Sequence, residues 1–181
     1  MWSAYEQVSK CCFPQAIRVV DRFHVVKALN SVLDRLRRRL RQDYPWKLAF
    51  KNIKWLLFKA HPTPDEQLQL EREFKQSPLL KAVVSLRNSF HTPFETAPNA
   101  PTLLTRLGAW MEEATALGYA GLSPFLTALT NWLDPIANFA HQRLTNAVTE
   151  GLNNVIRYIK RISYGIPNFE HLRLRVLAQA M

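Results

Sequence analysis

Cysteine is scarce in this sequence. Cys11 and Cys12 are the only two among 181 residues. Adjacent positions suit neither an ordinary disulfide framework nor a zinc site, because no second Cys/His pair completes four ligands. That excludes a secreted, disulfide-stapled scaffold and favours a reducing cytosol. Long apolar runs are missing too. Residues 55–58 are typical, closed by Lys54 and Lys59, so no membrane-spanning helix and no membrane partner are expected. Residues 1–8 have neither the basic start nor the apolar stretch of a secretory leader. With tryptophan and tyrosine appearing at once, the chain opens like the middle of a domain. Internal repeats and low-complexity segments are also lacking.

Acidic residues are few: 14 Asp and Glu stand against 24 Lys and Arg, a formal net charge of +10. The imbalance is ordered along the chain, at +9 over residues 1–60, −3 over 61–134 and +4 over 135–181. Two basic ends around a mildly acidic middle suggest that the ends form one cationic surface, with the middle as an inserted module. A polyanion is the natural partner, although a merely solvated basic helix would carry the same charge. Hydrophobic content of 48% with 11% aromatics supports one domain, or one domain with a large insertion. Such a chain buries roughly 70% of its unfolded surface without needing a disulfide or metal.

Residues 16–20 (AIRVV) are a short β-branched run after Pro14, read as a strand that ends at Asp21. Val26, Leu29, Val32, Leu33, Leu36 and Leu40 then recur at steps of three and four, marking one face of a helix over residues 23–41. Arg35, Arg37, Arg38, Arg39 and Arg41 point to several faces of it, most of them solvated, with two or three free to touch phosphate. A second helix is expected from about Pro45, burying Trp46, Phe50, Ile53, Trp55 and Leu57 and ending before His61-Pro62. Thr63-Pro64-Asp65-Glu66 is a capping box with proline at the first helical position, and Ser77-Pro78 and Ser123-Pro124 repeat the cap-then-proline device. Residues 92–101 (TPFETAPNAP) read as the clearest loop, Gly118 to Gly121 as a turn, and Asp134-Pro135 as a helix break. The five tryptophans, Trp2, Trp46, Trp55, Trp110 and Trp132, read as core rather than base-stacking platforms, because most sit at helical apolar spacing. His61, His91, His141 and His171 form no metal-ligand spacing.

Residues 144–177 are the most informative stretch. Val148, Leu152, Val155, Ile159 and Ile162 share one helical face, while Glu150, Asn154, Arg157 and Arg161 fall at i, i+4, i+7 and i+11 on another. One acid thus heads a row of amide and guanidinium groups. Gly151, inside the helix, costs roughly 1 kcal/mol relative to alanine, a hint that something approaches the backbone beside Glu150. Gly165 reads as the C-terminal cap, and Pro167 as the start of the next element. Two readings of the acids stand side by side. Asp21 at a strand end and Glu150 on a basic helix have the chemistry to share a divalent metal of the kind that drives phosphoryl transfer. Equally, Asp21 can cap the following helix and Glu150 can be a solvated acid favoured by the helix dipole. His24, three residues after Asp21, suits a site residue or a helix-start contact.

Asp21-Arg22-Phe23-His24-Val25-Val26-Lys27 with Leu29-Asn30, followed by Asn146, Glu150-Gly151-Leu152-Asn153-Asn154, Ile159-Lys160-Arg161 and Tyr164-Gly165, closely resembles the DDE transposases of bacterial insertion sequences, specifically the ISL-three group. The likeness spans nearly the whole chain, with its two motif blocks in order. It implies a mainly α chain: a truncated RNase H-like α/β catalytic domain that retains one N-terminal strand and carries a large all-helical insertion. Residues 1–29 would be the core remnant with the second catalytic Asp, 30–140 the insertion, and 141–181 the catalytic helix with its Glu and a closing helix.

On that resemblance Asp21 and Glu150 are catalytic and metal-binding, with Mg²⁺ or Mn²⁺ as cofactor. His24, Asn154, Arg157, Lys160 and Arg161 would face DNA, both transposon ends and target. A full-length transposase or a second copy of the chain are the protein partners it allows, and the bacterial cytoplasm, at the nucleoid, is the implied location. Ala147 and Arg157 depart mildly from relatives that often have Gly and Lys there. The family's first Asp lies upstream of a segment resembling residues 1–5, so the chain looks truncated and is expected to be inactive in strand transfer alone. Asp34, Asp43 and Asp134 follow no convincing strand and are not expected to replace that acid. The alternative is a non-catalytic, basic helical module that binds nucleic acid.

Overall fold

Caps and prolines set many of the helix starts. The computed structural model describes residues 3–43, 53–59, 61–142, 147–165 and 168–180, and every regular element among them is helical. In chain order these are α1 (Ser3–Cys12), α2 (Arg22–Asp43), α3 (Lys54–Phe58), α4 (Pro64–Gln76), α5 (Pro78–Ser89), α6 (His91–Thr96) and α7 (Ala100–Ala116). A 3₁₀ turn (Ala120–Leu122) leads into α8 (Ser123–Asn131), α9 (Leu133–Ala137), α10 (Phe139–Gln142), α11 (Ala147–Ile162) and α12 (Phe169–Ala180). The mainly α class is therefore correct. The chain divides into two compact units, residues 1–144 and 145–181, and α2 runs continuously across residue 30.

In the first unit, the Thr63 hydroxyl accepts from the Glu66 N–H at 3.4 Å and the Glu66 carboxylate accepts from the Thr63 N–H at 2.7 Å, with Pro64 opening α4. Ser77 caps α5 by accepting from the Leu80 N–H, without the reciprocal bond, since leucine has no side-chain acceptor to return it. Ser123 does not repeat the device. The 3₁₀ turn feeds directly into α8, so the cap position falls on Leu122 and Ser123 is already helical.

At 22 residues α2 is about 33 Å long, and its apolar stripe serves two cores. Val25, Leu29 and Val32 join a cluster centred on Phe90, whose ring meets Phe94, Trp110 and Phe125 edge-on at 5.3, 4.7 and 6.0 Å. Leu33 and Leu36 join Ile53, Leu57, Leu70, Leu80, Val83 and Val84 in a second cluster. Trp110 also satisfies its indole N–H on the Leu86 carbonyl at 2.9 Å, which lets a polar edge sit in the core.

Three further expectations change. Residues 16–20 form no strand: with no second strand among the described residues to ladder against, the backbone is satisfied from helices instead. The Val20 N–H donates to the Pro135 carbonyl at 2.9 Å, and the Asn138 amide donates to the Arg18 carbonyl at 3.0 Å. Residues 92–101 are not one loop. Residues 91–96 are helical, because Pro93 sits in the first turn, where a missing N–H costs nothing, and Phe94 is buried against Phe90. Only residues 97–99 connect onward, and Asn99 caps α7 through the Thr102 N–H at 2.9 Å. Trp55 is not core: it is 80% exposed, while Ile53 and Leu57 take the buried positions. Trp110 is buried and Trp132 half-buried as expected, whereas Trp2, Trp46, Phe50 and the start at Pro45 lie outside the described residues. The expected turn is present, with Gly118 at φ +66°, and the break near Asp134-Pro135 falls at Trp132, between α8 and α9.

In the second unit α11 packs on α12. Ser163 and Tyr164 close α11 by donating to the Ile159 and Arg161 carbonyls, and the backbone then turns left-handed, at φ +48° for Tyr164 and +93° for Gly165. Gly165 thus serves the terminating role read from the sequence. Asn168 caps α12 through the Glu170 N–H at 2.8 Å, so that helix begins at Phe169 rather than at Pro167, which lies outside the described residues.

Candidate nucleic-acid interface

Asp21 stands immediately before α2, half-buried. Its carboxylate accepts from the Phe23 N–H at 2.8 Å, while its carbonyl accepts from the His24 N–H at 3.0 Å. Asp21 is therefore an N-cap, as local chemistry allows. One carboxylate oxygen is committed to that bond. His24 is exposed, with its ring edge-on to the exposed Phe23 at 5.7 Å, and Lys27 lies 6.0 Å from the same ring. The start of α2 thus displays an acid, an imidazole and an ammonium group close together in sequence.

Further along α2 the arginine run divides. Asp34 and Arg37 are only 8% and 7% exposed. Arg37 donates Nε and Nη2 to Asp34 Oδ1 at 3.0 and 2.8 Å, and Arg38 donates Nε to Oδ2 at 2.9 Å. Burial alone would push the Asp34 carboxyl up, but the hydrogen bonds from Arg38 and Arg37, and then their charges, outweigh it and hold the group below the usual carboxylate range. Arg35, Arg38, Arg39 and Arg41 remain exposed, so only Arg37 of the run is structural.

On α11 the exposed polar residues keep the order read from the sequence. Glu150, Asn154, Arg157, Lys160 and Arg161 are all exposed, and Arg157 donates to the Asn154 side-chain carbonyl at 3.1 Å. That bond holds the guanidinium along the helix, next in line after Glu150. A Cβ at Gly151 would meet nothing within 4 Å. The hinted close approach is thus not made by the described residues, and the backbone beside Glu150 is open. The apolar side of α11 is only partly covered: Ile159 is buried, while Leu152, Val155 and Ile162 remain exposed, as do Phe169, Leu174 and Leu177 of α12. Asn146 lies outside the described residues.

A metal site can be tested on its donors. Asp21 and Glu150 offer the hard oxygen ligands that Mg²⁺ or Mn²⁺ takes. They stand in different compact units, and among the described residues no group of three or more His, Cys, Asp or Glu side chains comes together. The donors are of the right kind but too few for a two-ion site. Cys11 and Cys12 are free and exposed on α1, and no described helix is long and apolar enough to cross a membrane.

A basic, helical chain whose most ordered polar face runs from one carboxylate to three cations has the chemical outline of a protein that faces a polyanion. The chain belongs to the ISL-three group of transposases: a family model described as a transposase matches residues 1–176. It is similar to the transposase for insertion sequence element IS1001 from Bordetella parapertussis, with 32% identity over 190 residues. That alignment covers 98% of this chain and 45% of the relative, so the chain spans under half the length of the curated protein it matches. No solved structure matches it.

Sequence reasoning missed three groups. Lys27, Lys54 and the outward-facing Trp55 gave no signal as a set, because α3 brings Lys54 to α2 only through the burial of Ile53 and Leu57, with Trp55 left facing outward beside it.

Proposed function

We propose that this chain is the later part of a DDE transposase catalytic domain and works in DNA transposition. Asp21 is the second acid and Glu150 the last acid of the metal site, and His24, Asn154, Arg157, Lys160 and Arg161 lie on the DNA side. The observation that carries this reading is the exposed face of α11, where Glu150 heads an amide and three cations beside an open glycine. In the intact family such acids hold Mg²⁺ or Mn²⁺ for strand cleavage and transfer. Two carboxylates fall short of that requirement, so residues 1–181 alone bind DNA without cutting it. The RNase H-like sheet belongs on this reading to a longer chain. The exposed apolar residues of α11 and α12 are the surface such a chain, or a full-length transposase, would cover. The reading places the protein with DNA in the bacterial cytoplasm.

The test is a salt titration of duplex DNA binding, with wild type beside an Arg157→Ala, Lys160→Ala, Arg161→Ala triple variant. All three side chains are exposed, so the fold is unaffected. Each lost phosphate contact lowers the slope of log K against log salt by about 0.9, a fall of about 2 to 3 for the triple variant. Binding that is absent at low salt, or unchanged in the variant, rejects the reading. Mn²⁺-dependent binding that disappears in Asp21→Ala or Glu150→Ala supports the assigned acids over a purely electrostatic module.

A further inference from the structure

An open groove of about 470 Å³ lies between α2 and α3, lined by Lys27, Asn30, Ser31, Asp34, Arg35, Arg38, Lys54 and Phe58. Its cations outnumber its acid four to one, and that acid is already engaged by Arg37 and Arg38. Lys27, Ser31, Arg35 and Arg38 fall at i, i+4, i+8 and i+11, which aligns them along roughly 16 Å of one helix face, room for several consecutive phosphates. On the other wall Lys54 links the groove to Trp55. The Lys54 ammonium is 5.8 Å from the indole centroid, and the indole is 80% exposed. A large aromatic turned to solvent beside Lys54, at the edge of a groove that holds three further cations, is costly to leave bare and is the arrangement that binds unstacked bases: a charged track for the backbone and a π-face for a base.

We infer that the α2–α3 groove holds single-stranded DNA, with phosphates on Lys27, Arg35, Arg38 and Lys54 and one base stacked on Trp55. The inference rests on the DNA-binding reading above but uses a surface that shares no residue with α11. An extended single strand fits it better than a duplex, because only unpaired bases offer a face to Trp55.

The test uses the full chain with a fluorescein-labelled oligothymidine and a duplex of equal length, followed by anisotropy. Trp55→Ala is expected to weaken oligothymidine binding about tenfold and to leave duplex binding nearly unchanged, and Trp55→Phe is expected to restore most of the loss. Arg35→Ala with Lys54→Ala should lower the single-strand salt slope by about 1.4, two contacts at about 0.7 each. All three side chains are exposed, so refolding effects are not expected. If both groove variants bind oligothymidine like wild type while the α11 triple variant does not, the groove assignment is overturned and the α11 reading stands. If the groove variants lose oligothymidine binding and the α11 variant does not, the groove assignment stands, and the α11 reading is decided by its own duplex titration. A wild-type chain that ignores oligothymidine at low salt overturns the groove.

Discussion

Asp34→Ala removes the carboxylate that holds Arg37 in the interior of α2. Both residues are under a tenth exposed, and Asp34 Oδ1 receives two hydrogen bonds from Arg37 at 2.8 and 3.0 Å. Breaking a buried pair from one side costs about 3–5 kcal/mol, because a buried charge loses its counter-ion. The lower end applies here, since Arg37 keeps other interactions and the bonds to Arg38 are screened by solvent. A loss of about 3 kcal/mol lowers Tm by about 6–12 °C in a chain of this size. Urea unfolding followed by circular dichroism measures it, with Asp34→Ala/Arg37→Leu as the companion variant. An apolar replacement of both partners should recover most of the loss.

The same pair sets an acid limb. Asp34 is held below its ordinary value of 3.8, so its contribution is complete above about pH 4 and is lost as pH falls through the lowered folded value. The variant should show a flatter decline below pH 4. A single variant less than about 1 kcal/mol weaker than wild type, or a double variant no better than the single, refutes the buried-pair argument.

Other expectations follow from particular residues. Gly151→Ala should stabilise α11 by up to about 1 kcal/mol, since the added methyl meets open space, yet weaken duplex binding if DNA approaches there; thermal melting and anisotropy on one sample separate the two effects. Phe90→Ala should cost about 3–5 kcal/mol, measured by urea unfolding, because Phe90 is fully buried and its ring meets three other aromatic rings. His91 is held below its ordinary 6.5 by burial and then by the charges of Arg87 and Arg22, against a smaller opposing effect of Glu95. Stability from this residue is therefore complete above about pH 6.5 and falls as pH drops through the lowered folded value. His91→Gln should remove that slope in melts between pH 5 and 7.5, the range in which an ordinary histidine titrates.

The helical class and the α2 stripe were legible because periodicity is a local property. Leu29, Val32, Leu33 and Leu36 are buried as spaced, and the Thr63 and Ser77 caps rest on side chains three residues from their partners. Residues 16–20 misled because β-branched composition reports willingness to pair, not the presence of a partner. Trp55 misled because a five-residue helix has too few turns for its spacing to define a face; which residues turn inward is decided by Leu33, Leu36 and α5. The order of Glu150, Asn154, Arg157 and Arg161 on α11 was readable, since helical spacing alone sets it, whereas the exposure of Leu152, Val155 and Ile162 on the apolar face was not. The buried Asp34–Arg37 pair was not, because five arginines in a run look alike until packing selects one.

The most direct test of the account is a nicking assay: purified chain, supercoiled plasmid and Mn²⁺, with Glu150→Ala alongside. Two carboxylates without a third predict no nicking above the Glu150→Ala background, although the wild-type chain binds the plasmid. Nicking by wild type that Glu150→Ala abolishes would show that the chain assembles a working metal site by itself, and would contradict the account.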